Sequence, residues 1–119
     1  MTVTCPYCNA EARLTTGDYI YPHRQDLAHR KFWVCWPCDA YVGTHKGTDQ
    51  PLGTMANAEL RKARRAAHDA FDPLWDRTMA RNQAYAWLAN AMGLPKKETH
   101  IGMFDVDQCR RVVELVNNR

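Results

Sequence analysis

Four cysteines stand in two pairs, Cys5-Pro6-Tyr7-Cys8 and Cys35-Trp36-Pro37-Cys38. Each pair places two thiols on one tight turn, and together they supply the four soft ligands of a closed tetrahedral zinc site. Twenty-six residues separate the pairs, enough for a β-hairpin to fold back and bring the turns together. The residue after each pair is Asn9 or Asp39, types that tolerate the left-handed backbone a zinc knuckle needs there. Pro6 and Pro37 restrict φ inside the turns. Two disulfides or a redox-active pair are the competing chemistries. A redox pair of the thioredoxin kind opens a helix in a βαβ context, and neither pair is followed by a helical pattern. The expected cofactor is therefore one structural zinc held by Cys5, Cys8, Cys35 and Cys38. With all four positions filled by protein, it holds structure and does no chemistry.

Other residues could act on a ligand. At 100° per residue, Asn57, Arg61, Arg64, Arg65, His68 and Asp72 share one arc of a helix. Arg61, Arg64, Arg65 and His68 make this arc a candidate anion-binding face, against the alternative of a solvated helix surface. His68 and Asp72 are four apart and can hydrogen-bond, fixing one imidazole tautomer. His45, His68 and His100 with Asp72 would suit a second metal or a general base if they converged. No short-spacing motif requires that, and otherwise they cap and bridge loops. Tyr7, Trp33, Trp36 and Tyr41 cluster around the knuckles, either to stack on bases or to pack the small sheet. No phosphate loop, nucleophile elbow or catalytic carboxylate pair is present.

The elements that must position these groups follow from the patterning. Glu11 to Thr15 and Tyr19 to Tyr21 read as strands around the turn Thr16-Gly17-Asp18. Lys31 to Cys35 and Ala40 to Thr44 are aromatic and β-branched runs flanking the second knuckle. So few short strands need a metal to be stable. His45 to Gly53 is loop. Helical periodicity then begins at Thr54 or Asn57 and runs to about Phe71, ended by Asp72-Pro73. Its apolar stripe is Ala56, Leu60, Ala63, Ala67, Ala70, Phe71 and Leu74. A second helix covers about Asn82 to Met92, stopped by Gly93 and Pro95. A third starts near Asp105, with Val106, Cys109, Val112, Val113 and Val116 at helical spacing. Cys109 on that stripe reads as a small buried hydrophobe.

A chain of 119 residues with 45% hydrophobic content fits one compact domain over 1–119, with a zinc ribbon over 1–50 and a helical part over 51–119. The longest apolar stretches fall far short of the roughly 20 residues of a membrane span, so no membrane partner is expected. The thiol usage, and a start with neither basic residues nor an apolar run, fit the cytoplasm. The formal charge is +3. Four thiolates and one zinc contribute −2, leaving the metallated chain near +1. Residues 1–50 hold five basic and five acidic side chains, against eleven and eight in residues 51–119. The metallated ribbon is slightly acidic, so a basic patch is expected in the helical half.

The ordered strings Cys-Pro-Tyr-Cys at 5–8, Cys-Trp-Pro-Cys-Asp-Ala-Tyr-Val-Gly-Thr-His at 35–45, Pro-Leu-Gly-Thr-Met-Ala at 51–56, Ala-His-Asp-Ala-Phe-Asp-Pro-Leu-Trp at 67–75, Ala-Tyr-Ala-Trp-Leu-Ala at 84–89 and His-Ile-Gly-Met-Phe-Asp at 100–105 resemble a family of small phage and bacterial proteins. It is known as the zinc-finger-containing domain of unknown function. The resemblance spans nearly the whole chain. It implies a zinc-ribbon head on a helical body, often phage- or prophage-encoded, and it brings no activity with it. His45, His68, Asp72, His100 and Cys109 all stand inside the resembling strings.

The expected fold class is therefore α+β, an N-terminal zinc ribbon of short antiparallel strands with about three C-terminal helices. The leading function is a small zinc-ribbon binding protein acting on nucleic acid or on a nucleic-acid-handling protein, with Lys96, Lys97, Arg110 and Arg111 adding to the basic arc. A metal- or His-dependent nuclease or hydrolase is one alternative. An inhibitor or adaptor of a host protein, without nucleic-acid contact, is the other.

Overall fold

Phe32, Trp33 and Val34 are consecutive and all buried, the pattern of a strand covered on both faces. They form the middle of β2 (Lys31–Cys35), the central strand of a three-stranded antiparallel sheet between β1 (Arg13–Thr16) and β3 (Ala40–Gly43). The computed structural model describes residues 1–119 and has α+β architecture. It divides into two compact units, Met1–Ala58 and Glu59–Arg119.

In the first unit the register pairs Leu14 with Trp33 and Trp33 with Val42. Trp33 joins Cys5, Ala12, Cys35, Ala40 and Met55 in a core beside the thiols. Phe32 meets a different set, with its ring edge-on to Tyr21 and Tyr41 at 5.9 and 6.1 Å. The residues after β3 stay irregular, as the loop signals predict, yet they are tied back to the sheet. Leu52 N–H donates to Gly43 O at 2.9 Å, and Tyr41 and Ala56 exchange two backbone hydrogen bonds.

The expected strand at Tyr19 to Tyr21 is absent. The chain leaves β1 into a single helical turn, α1 (Gly17–Ile20), and a 3₁₀ turn at Gln25–Leu27 before entering β2. Gly17 explains the difference. A Cβ there would lie 1.8 Å from Leu27 O, so this glycine serves close backbone approach and not a hairpin turn. Its N–H donates to Arg30 O at 2.7 Å.

The second unit is built on α2 (Ala58–Pro73), α3 (Arg81–Met92) and α4 (Val106–Asn117). Its core is Ala67, Phe71, Ala84, Leu88, Ile101, Phe104, Cys109 and Val112. The helix does not stop at Asp72-Pro73 as expected. Pro73 is accommodated in the last turn, and the chain widens into a π-turn over Leu74–Thr78, closed by Met79 N–H to Leu74 O at 2.9 Å. Gly93 at φ 69° ends α3 in the left-handed form expected of a helix C-cap. Asp105 caps α4 reciprocally with Gln108, at 2.8 and 3.0 Å. No helix is long and apolar enough to cross a membrane.

Candidate metal centre

The first knuckle is a tight loop whose ends are pinned by Cys5 N–H to Ala10 O at 2.8 Å and Asn9 N–H to Cys5 O at 2.9 Å. The second joins β2 to β3, with Cys35 ending one strand opposite Ala40 at the start of the other. Asp39 N–H there donates to Trp36 O at 3.1 Å. Asn9 at φ 63° and Asp39 at φ 50° are the chain's only non-glycine residues in the left-handed region, as the sequence predicts for zinc knuckles.

The geometry converges all four sulfurs. The Sγ atoms of Cys5, Cys8, Cys35 and Cys38 lie within 4.8 Å of one another, and Cys8 and Cys35 are 3.6 Å apart. Four sulfurs about 2.3 Å from a tetrahedral zinc sit about 3.8 Å from each other, so the cluster is sized for that ion. No pair is bonded as a disulfide. Cys5 and Cys35 are buried, Cys38 is half-buried and Cys8 is exposed. At Cys5 burial works against the thiolate, but the backbone amides of Tyr7 and Cys8, helped by the neighbouring thiols, outweigh it and hold the thiol below its ordinary range. Cys38 goes the other way, pushed up to about 12 by its hydrogen bond with Cys8, then by burial and the other thiols. Four crowded thiols cannot all ionise unless a cation neutralises them. The donor set, the spacing and this charge demand fit a divalent zinc.

A family model for a zinc-finger-containing domain matches residues 1–119. The chain belongs to that family. No curated protein and no solved structure matches it. The four cysteines of this zinc-finger domain thus make a structural zinc site with no open position for a substrate.

The remaining candidates are placed separately. His68 Nδ1 lies 3.3 Å from Asp72 Oδ1. The same carboxylate oxygen accepts from Trp75 Nε1 at 3.2 Å, a third member that spacing arguments missed because Trp75 looks like core. His100 is exposed, with its ring 6.3 Å from that of Tyr85. Within the helical unit, His68, Asp72 and His100 do not form a group of metal-ligand spacing. His45 stands in the loop after β3, its N–H donating to Gln50 O at 2.9 Å. On α2, Lys62 and Arg65 are exposed and Arg61 is half-buried. Arg64 Nε donates to Phe104 O at 3.1 Å, tying α2 to the turn before α4.

The knuckle aromatics divide between packing and exposure. Trp33 is buried and donates from Nε1 to Asp49 O at 2.7 Å. Tyr41 packs on Phe32 and Tyr21, the two hydroxyls 3.0 Å apart. Tyr7 accepts from Asn57 N–H at 3.2 Å. Trp36 is 52% exposed on the second knuckle. Sequence reasoning also missed a basic cleft at the far end of the ribbon, lined by His29, Arg30, Lys31, His45 and Lys46 among others. The even charge count of residues 1–50 conceals it.

Proposed function

We propose that this zinc-finger domain is a small, phage- or prophage-derived binding protein acting on nucleic acid or on a nucleic-acid-handling protein, with the zinc as scaffold. The observation that carries the reading is the basic surface of the helical unit. Arg61, Lys62, Arg64 and Arg65 fall within five residues of α2. Arg110 and Arg111 are exposed on α4. Arg81, Lys96 and His100 line a further concavity of about 440 Å³ beside Tyr85. Lysine and arginine side chains so placed attract phosphate by releasing its counterions. The test is affinity for a DNA or RNA oligonucleotide across a salt series. Lys62→Glu with Arg65→Glu is expected to weaken binding and lower the log–log salt slope by roughly one per lost contact. Unchanged affinity would remove α2 from the interface.

A second reading, a host-protein adaptor or inhibitor, is favoured by a groove of about 490 Å³ between α2 and α4. Its lining joins apolar Ala63, Ala66 and Val113 with Glu59, Glu114, Lys62 and Arg110. Such a mixed lining suits an amphipathic peptide segment better than a polyanion. The hydrolase alternative draws support only from the His68–Asp72 pair, which belongs to no group of metal-ligand spacing.

A further inference from the structure

The two ends of the β2–β3 hairpin are chemically unlike. Cys35 and Ala40 stand at one end, within the thiol cluster. Lys31 and Thr44 stand at the other, about 13 Å away along the strand at roughly 3.3 Å per residue. There the 3₁₀ turn Gln25–Leu27, the start of β2 and the loop after β3 enclose a cleft of about 360 Å³, lined by Asp26, His29, Arg30, Lys31, Thr44, His45, Lys46, Gly47 and Thr48.

The charges around this cleft do not cancel. Asp26 is the only acid in the lining, and it is held by Arg24, Nε to Oδ1 at 2.9 Å and a terminal nitrogen to Oδ2 at 2.7 Å. Lys31 is matched by Asp49 at 2.9 Å. Asp18, near the same end, accepts from the Thr16 hydroxyl. Arg30 and Lys46 remain with no carboxylate within ion-pair distance, and His29 and His45 add ring N–H donors from either side. The loop that carries His45 and Lys46 is constrained. Thr48 N–H donates to His45 O at 3.0 Å across a turn whose third residue is Gly47 at φ 77°, the type II pattern. The Thr48 hydroxyl donates to His45 O and accepts from Gln50 N–H. The far side of the cleft is fixed too, since Arg30 O accepts from Gly17 N–H. Two uncompensated cations and two imidazoles therefore face one concavity on a prearranged backbone, an oxyanion recognition arrangement. Tyr19, in the turn opened by Gly17, is 68% exposed and gives this end of the ribbon a stacking surface.

We propose that this cleft is a phosphate-binding site, with Arg30 and Lys46 as the charged contacts and His29 and His45 as ring N–H donors. For the source of that phosphate, a nucleic-acid backbone, the proposal rests on the reading given above; the oxyanion chemistry does not. The ribbon is then a second recognition surface, whose zinc holds β2 and β3 in the register that brings Arg30 and Lys46 together.

The test is an amide NMR titration of the full-length, zinc-loaded chain with two probes, inorganic phosphate and a single-stranded oligonucleotide. Both are expected to shift the amides of residues 29–31 and 44–48. Arg30→Gln with Lys46→Gln should abolish those phosphate shifts and lower the salt slope for the single-stranded oligonucleotide by about 1.4, at roughly 0.7 per contact. Retained dispersion of the remaining amides checks folding. Lys46→Gln alone, in an exposed loop, serves if the double variant is disturbed, with a slope change of roughly 0.7. Shifts with phosphate but not with the oligonucleotide would uphold the oxyanion site and overturn the nucleic-acid source. Oligonucleotide shifts confined to α2 and α4, with the cleft silent to phosphate, would uphold the nucleic-acid reading and overturn the cleft. Silence at the cleft with both probes overturns the proposal outright.

Discussion

Cysteine appears five times in this chain and has two different fates. Cys5, Cys8, Cys35 and Cys38 lie on turns and converge, with backbone amides directed at the sulfurs of Cys5 and Cys35. Cys109 lies on the buried stripe of α4, fully covered, and burial pushes its thiol above the ordinary range. Both fates were legible from sequence, because Cys-x-x-Cys spacing and helical periodicity are local signals. The sign of the Cys109 shift sets a pH dependence. A thiol that ionises less readily when folded contributes stability below its unfolded value of about 8.5, and that contribution is lost as pH rises toward the folded value. A thiol-labelling reagent should therefore modify Cys109 far more slowly than an unfolded control, even at pH 9. Labelling at the unfolded rate would show that this part of α4 is not packed as described.

Among the elements, the strands at the second knuckle and the three helices were readable from their periodicity and caps. The two misreadings each turned on one residue. Thr16-Gly17-Asp18 has hairpin-turn composition, yet Gly17 is used for contact with the Leu27 carbonyl, a tertiary demand invisible in a local window. Asp72-Pro73 has the composition of a helix stop, yet a π-turn absorbs the proline. Gly17→Ala is accordingly expected to destabilise the ribbon by about 1–3 kcal/mol, or to displace the Leu27 turn. Chemical denaturation of the zinc-loaded protein measures it. A neutral result would mean the turn yields without cost. The basic cleft escaped sequence reading for a related reason. Its lining comes from two segments that only the β2–β3 pairing brings together, and charge counted along the chain cannot register that Asp26 and Asp49 are already engaged.

For the whole molecule, the division into two units with separate apolar clusters determines how stability depends on metal. The ribbon core is small and shares Cys5 and Cys35 with the metal centre, whereas the helical core contains none of the four ligands. Stripping zinc with a strong chelator, or replacing Cys35 with Ser, should collapse the sheet resonances first, since metal binding and folding are one equilibrium in so small a sheet. The helical signal should persist, followed by far-ultraviolet circular dichroism. Simultaneous loss of both would show that the helical core depends on the ribbon. The central claim, a closed four-thiolate zinc site, is tested most directly by zinc K-edge X-ray absorption on freshly purified, reduced protein. The expected result is one zinc per chain with four sulfur neighbours at about 2.3 Å. Absence of zinc, or nitrogen or oxygen in the first coordination shell, would contradict it.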